Sequence, residues 1–318
     1  MAREARDSAS SDALARALES FRRELRERLE AAGAPVGSLS SADLFDLFDR
    51  LRRRAGSFGM HERSAEVDEF GLDPAAVERA QPLLDWLAER WWRVEARGLE
   101  RLPDGPALLV ANHSGLLPWD GLVLAHVVER ATGRRPRFLV ADWLVTLPFA
   151  QYRLASLGGV RACRENAQRL LRSGHAVIAF PEGVKGAAKT FADRYRVQRF
   201  ARGGVVRVAL EESVPLVPVS IVGAEETHPI LFKLRLGARS VGLPFLPVTP
   251  TFPWLGPLGL LPLPSKWRIR VGDPLPTAPL GRGAAADDVL VSRMTEDLRG
   301  RIQAMVDEDR RGRSGVFA

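Results

Sequence analysis

The sequence predicts an α/β fold, with a mostly parallel sheet flanked by helices and an N-terminal helical appendage. Three observations lead there. The chain has 318 residues, 46% of them hydrophobic, enough for one large domain with a sizeable core and a smaller extension. Before about Glu95 the apolar residues recur at helical spacing. After Gly98 short apolar runs alternate with helical stretches, the pattern of strands joined by crossover helices.

Over residues 13–32, Leu14, Leu18, Phe21, Leu25 and Leu29 form one apolar stripe opposite a charged face. Ser40 or Ser41 can cap a second helix carrying Leu44, Leu47, Phe48 and Leu51. A third helix starts at Asp73, with Pro74 in its first turn, and runs to about Arg93; it carries Val77, Leu83, Leu84, Leu87, Trp91 and Trp92. The appendage is therefore drawn at residues 1–94 and the α/β domain at 95–318. Strands are predicted at 107–111, 138–141, 176–180, 216–222 and 267–271. Helices are predicted at 120–130, 145–157, 165–172, 197–212 and 287–306, with Gly174 placed to end the third of these.

Cys163 is the only cysteine, which excludes an intramolecular disulfide and a multi-cysteine metal site and fits a reducing cytoplasm. No metal is expected. The formal charge of +7 is uneven: between Arg130 and Arg207 there are 16 basic and 4 acidic residues. Such a surplus attracts anions, unless it is only a solvated basic face. Residues 1–12 are polar and charged, so no signal peptide is expected. The longest uncharged stretch, 240–265, has a spanning length, but its seven prolines argue against a transmembrane helix.

Four clusters carry the chemistry. Asn112-His113 follows an apolar strand, and Asp120 opens the next helix; ligands meet α/β sheets at the C-terminal ends of strands, where a histidine can serve as general base. Gly158 through Asn166 places Arg161 and Arg164 before a helix, where guanidinium groups and free N–H groups suit phosphate. Phe180-Pro181-Glu182-Gly183-Val184-Lys185 offers a carboxylate, a flexible backbone and a cation in one turn. Val214 through Val219 reads as a buried strand.

In this order the clusters resemble the four sequence blocks of the phospholipid/glycerol acyltransferase superfamily. The first block, Asn-His followed by Asp, is met by Asn112, His113 and Asp120. The second, Gly followed six residues later by Arg, is met by Gly158 and Arg164. The third, Phe-Pro-Glu-Gly and a basic residue, is met by Phe180 to Gly183 with Lys185. The fourth is the Val-Pro-rich strand. The likeness covers about residues 95–275. Six residues separate His113 from Asp120 where four are common, which points toward the branch of mono- and diacylglycerol acyltransferases. It also leaves a second role open for Asp120, that of capping the following helix.

The resemblance implies direct transfer of a fatty acyl group from acyl-CoA or an acyl carrier protein to a glycerolipid hydroxyl, with no cofactor. His113 would be the base and Asp120 its partner. Glu182 and Gly183 would position the acceptor, Arg164 and Lys185 would hold phosphate, and Asn112 would join them in binding substrate. The expected partners are a thioester donor, a glycerolipid acceptor, an acyl carrier protein where it carries the donor, and the membrane surface, met peripherally from the cytoplasm at its inner face. No nucleic-acid partner is expected.

Residues 241–264, bracketed by Arg239 and Lys266, either pad the core or form an apolar surface or acyl channel anchored by Phe252 and Trp254. Trp86, Trp91 and Trp92 offer a second apolar surface or a core stripe. A triad hydrolase is disfavoured because no Gly-x-Ser-x-Gly elbow exists and Ser114 directly adjoins His113. The alternative from another class is a non-catalytic peripheral membrane protein that binds anionic lipid through the basic middle region.

Overall fold

The computed structural model describes residues 66–115, 117–145, 150–201, 203–234, 244–313 and 315–316. The first two expected helices lie outside these. All described residues belong to one compact unit, 61–318.

Seven strands form the main sheet: β1 (Glu95–Arg97), β2 (Leu108–Ala111), β3 (Arg137–Val140), β4 (Gly159–Arg161), β5 (Val177–Ala179), β6 (Leu216–Val222) and, last in sequence, β9 (Arg268–Val271). Their spatial order is β1-β9-β6-β2-β5-β3-β4. Every neighbouring pair is parallel except β6 with β9. Two further strands, β7 (Phe232–Leu234) and β8 (Leu246–Val248), pair antiparallel in a small sheet of their own. The described helices are α1 (Pro74–Trp86), α2 (Trp119–Thr132), α3 (Asp142–Val145), α4 (Ala150–Ser156), α5 (Arg164–Arg172), α6 (Val184–Ala187), α7 (Gly204–Glu212) and α8 (Asp288–Arg311).

The central strands are continuous apolar runs because helices cover both faces of the sheet. Alternation along β2 sends Leu109 and Ala111 to one face, where they pack with Val123 and Leu124 of α2. Leu108 and Val110 go to the other, against Leu170 of α5, Leu210 of α7 and Leu298 of α8. Burying one such side chain contributes about 1.5–3 kcal/mol.

The third expected helix forms, with the Asp73 carboxylate accepting from the Ala75 N–H at 3.0 Å. A π-helical turn, Leu87–Trp91, continues α1. Trp92 behind it is fully buried and stacks on Trp267 with ring centroids 4.5 Å apart. The boundary drawn at residue 94 thus falls inside a packed unit, since α1 is tied to the sheet through this indole pair.

Several expected elements differ in extent. Of the helix expected at 145–157, α4 covers Ala150–Ser156, and α3 ends at Val145. The helix expected at 197–212 begins only at Gly204, because side chains claim the N–H groups of Val197 and Gln198: Gln303 Oε1 at 2.8 Å and Glu182 Oε2 at 2.6 Å. The last helix runs on to Arg311, capped by Asp287. The edge strands β1 and β4 have only three residues each, and their arginines hide them from an apolar pattern.

Candidate active site

β2 and β5 are parallel neighbours, so the loops that leave their C-terminal ends lie side by side. Asn112 fixes the first loop. Its Oδ1 accepts from the Ile221 N–H at 2.7 Å, and its Nδ2 donates to the Ile221 carbonyl at 2.8 Å. The expectation that Asn112 binds substrate is therefore corrected: the amide is buried and spent on locking the loop to β6.

Glu182 fixes the second loop to the first. One carboxylate oxygen accepts from the His113 N–H at 2.7 Å and the other from the Gln198 N–H at 2.6 Å. The expected acceptor-positioning role is corrected likewise, because this carboxylate is buried and occupied by backbone donors. Gly183 adopts φ 56° and ψ −144°, a backbone open to glycine, and its exposed backbone makes the turn. At Gly186 a Cβ would fall 2.5 Å from Glu182 Cβ and 2.9 Å from His113 Cβ, so the two loops meet only because that residue has none.

His113 Nδ1 lies 2.6 Å from Asp120 Oδ2. The same oxygen accepts from the Ser114 N–H at 2.9 Å, and Asp120 Oδ1 accepts from the Gly121 N–H at 2.8 Å. The carboxylate thus reaches back to the ring from the first turn of α2. Asp120 is fully buried, whereas the His113 side chain keeps 16% of its exposure. Burial pushes the imidazole down, but the charge and hydrogen bond of Asp120, with the charge of Glu182, outweigh it and hold His113 above the usual imidazole range. With Nδ1 engaged, Nε2 is the nitrogen left to exchange a proton with a ligand.

His113 stands on the wall of an apolar cavity of about 390 Å³. Phe138, Trp143, Leu144, Phe180, Val184 and Val208 line it, and the Phe180 ring lies 4.7 Å from the imidazole between centroids. Its size and lining suit an extended apolar ligand that presents one polar end to His113. Cys163 and Arg164 also line it. The guanidinium of Arg164, expected to hold phosphate, makes a forked pair with Glu211. Lys185 is exposed on α6 and lines a second, more polar cavity of about 660 Å³ with Lys189, Lys233 and Phe245. Val184 lies between the two and lines both.

The basic middle region is partly neutralised by ion pairs, most of them with carboxylates from outside it. Arg135 meets Glu129, Arg137 meets Asp68, Arg161 meets Asp142, Arg169 meets Glu69, Arg172 meets Glu212, and Arg207 meets Asp288. Part of a surplus that looked free along the chain is folded into ion pairs.

The segment after residue 243 divides between the two roles open to it. Phe245, Val248 and Thr249 are buried. Trp254, Leu255, Leu258 and Leu261 remain exposed, Trp254 by 74%. The aromatic helix converges on the same place: Trp91 Nε1 donates to the Pro262 carbonyl at 3.0 Å, and the half-exposed Trp86 stacks on Trp91. Leu83, one turn back, is also exposed. No helix of the described residues is long and apolar enough to cross a membrane.

Two groups behind the Glu182 turn have no signature in the sequence. Lys189 reads as a solvated loop lysine, yet its ammonium is buried 2.5 Å from Glu225 and 3.5 Å from Glu182. Glu225 follows β6, and only the fold brings it there.

Comparisons with known proteins give the family. The acyltransferase family matches residues 93–222, which contain both loops and the whole His113–Asp120 pair. An uncharacterized protein of Mycobacterium tuberculosis is 44% identical over 302 residues, covering 93% of this chain and 84% of that protein. The DGAT1/2-independent enzyme synthesizing storage lipids of Homo sapiens is 27% identical over 254 residues, covering 77% of this chain and 71% of its own. Among solved structures, the 1-acyl-sn-glycerophosphate (LPA) acyltransferase PlsC from Thermotoga maritima aligns with a TM-score of 0.49 and 20% identity, over 86% of this chain and 90% of that one. The family match makes the chain an acyltransferase, on an α/β fold. The chain belongs to the phospholipid/glycerol acyltransferase superfamily.

Proposed function

We propose that the protein transfers a fatty acyl group from a thioester, acyl-CoA or acyl carrier protein, directly to a hydroxyl of a glycerolipid, with His113 as general base. The observation that carries this is the 2.6 Å contact of His113 with a buried aspartate on the wall of an apolar cavity. Nε2 takes the proton of the acceptor hydroxyl as its oxygen attacks the thioester carbonyl carbon. The tetrahedral species collapses with loss of the C–S bond, and the leaving thiolate recovers that proton from the imidazolium. Asp120 stabilises the imidazolium while it exists. Neither Ser114 nor Cys163 is called on as a nucleophile, and the reaction calls for no resident cofactor.

The acyl chain occupies the apolar cavity. Lys185, in the polar cavity across Val184, faces the headgroup or the donor's phosphates. Likeness to an enzyme synthesizing storage lipids supports a mono- or diacylglycerol as acceptor, beside lysophospholipid and glycerol phosphate. With one labelled acyl-CoA and a panel of glycerol 3-phosphate, lysophosphatidate, monoacylglycerol and diacylglycerol, thiol release is expected to rise with at least one lipid acceptor, in step with its acylation. Release unaffected by every acceptor would sink the transferase reading. The anionic-lipid-binding alternative has less support, since about half of its basic side chains are engaged in ion pairs.

We further propose that the enzyme works as a peripheral protein at the inner face of the membrane, where its acceptor resides. Trp254, Leu255, Leu258 and Leu261, beside Trp86, give an exposed apolar face suited to the interface. Replacing Trp254 and Leu258 by glutamate is expected to lower sedimentation with phospholipid vesicles at least about tenfold, by exposing two charges to the acyl region. Equal sedimentation of variant and wild type would remove this face from the account.

A further inference from the structure

Glu182 ties two loops together with a buried charge, and the group that balances that charge lies in neither block. Lys189 follows α6; its side chain is 5% exposed, with Nζ 2.5 Å from Glu225 Oε1 and 3.5 Å from Glu182 Oε2. Glu225, in the 3₁₀ turn after β6, is itself held by the Tyr195 N–H. A continuous chain of contacts therefore runs from the β6 turn through Glu225, Lys189 and Glu182 to the backbone N–H of His113. Two buried carboxylates share a single ammonium, an arrangement in which removing the cation leaves uncompensated charge beside the catalytic loop.

We propose that Lys189 is a positioning residue for acyl transfer: its buried ammonium holds the Glu182 carboxylate against the His113 N–H and thereby fixes the base on the cavity wall. The assignment rests on His113 being the base. It also has an electrostatic consequence. The charged groups that bear on the imidazole are Asp120 from α2, Glu182 from the turn after β5, and Lys189 behind it; the first two favour the imidazolium and Lys189 opposes it. Lys189 thus keeps more of the imidazole neutral near pH 7 while preserving the carboxylate that anchors its backbone. Without the lysine, Glu225 is the carboxyl that takes up a proton, since burial already pushes it up.

The test is the pH profile of kcat and kcat/KM for Lys189→Met, Lys189→Arg and Glu182→Gln. Lys189→Met is expected to move the acid limb of the profile to higher pH and to lower kcat by about 10- to 100-fold, with KM changing less, as the base loses its fixed position. Lys189→Arg keeps the charge and is expected to restore the limb. Glu182→Gln is expected to move the limb the opposite way, to lower pH. Opposite shifts from adjacent substitutions are not what general destabilisation produces. A folded Lys189→Met protein with the wild-type limb and kcat would overturn the assignment. If Lys189→Met does not fold, an unmoved limb in Glu182→Gln would do so instead. His113→Ala, run alongside, separates the two readings. If that variant is active, the base assignment itself fails; if it is inactive while Lys189→Met behaves as wild type, only the role of Lys189 fails.

Discussion

Purified protein with His113→Ala is expected to acylate its acceptor at least about a hundredfold more slowly than wild type, within the 10²- to 10⁴-fold range general-base catalysis contributes. The reason is local. Nδ1 is held by Asp120 and the backbone N–H by Glu182, so the ring is fixed from both sides and Nε2 is the group left to take the acceptor's proton. An alanine keeps the backbone contact to Glu182 and leaves the fold little changed, because the ring lies on a cavity wall and not in the core. Donor binding is therefore expected to survive the substitution: the labelled acyl-CoA should bind with nearly unchanged affinity while single-turnover transfer falls. Transfer at the wild-type rate would refute the base assignment.

The parts of this site that lay within a few residues of one another were legible in the sequence. A strand, a loop histidine and an aspartate at the next helix are contiguous, and the apolar run before Asn112 already places them at a strand end. Asp120 could be read two ways because it stands where a helix opens; the N-cap position is Pro118, with no side-chain cap bond, and the Asp120 side chain bonds the imidazole from inside the first turn of α2. Glu182 was located but its role was not, since its partners are backbone N–H groups at His113 and Gln198 that no residue type announces. Lys189 could not be found at all, because a lysine reads as solvated until the fold supplies Glu225 as a buried partner.

The same distinction governs the fold. β2, β5 and β6 are buried on both faces and read as apolar runs. β1 and β4 sit at the two edges of the sheet, where short charged strands are favoured, and their sequence resembles a loop. The basic middle region misled for a related reason. Composition counts charges along the chain, whereas Asp68, Glu69 and Asp288, which neutralise Arg137, Arg169 and Arg207, come from far away in sequence.

Asp120→Asn is expected to lower kcat by about 10²- to 10⁴-fold while moving the acid limb of the pH profile downward. Both effects follow from one lost charge. The Asp120 carboxylate is fully buried and accepts from His113 Nδ1, the Ser114 N–H and the Gly121 N–H. Together with Glu182, it overcomes the effect of burial and holds the imidazole above its usual range, so activity in wild type rises with pH through that raised value. Removing the charge lets the imidazole titrate lower, and more of it is neutral at pH 7. Protonation state alone would then favour a faster reaction near and below neutrality. The rate nevertheless falls, because the imidazolium formed as the hydroxyl attacks has lost the anion that stabilised it, and the amide NH₂ now faces groups that are themselves donors. A purely structural role for Asp120, as a cap on α2, would lower stability without moving the limb. Measuring kcat against pH for a variant whose thermal melt shows it folded distinguishes the two: a fall in kcat with the limb at its wild-type position would return Asp120 to the helix.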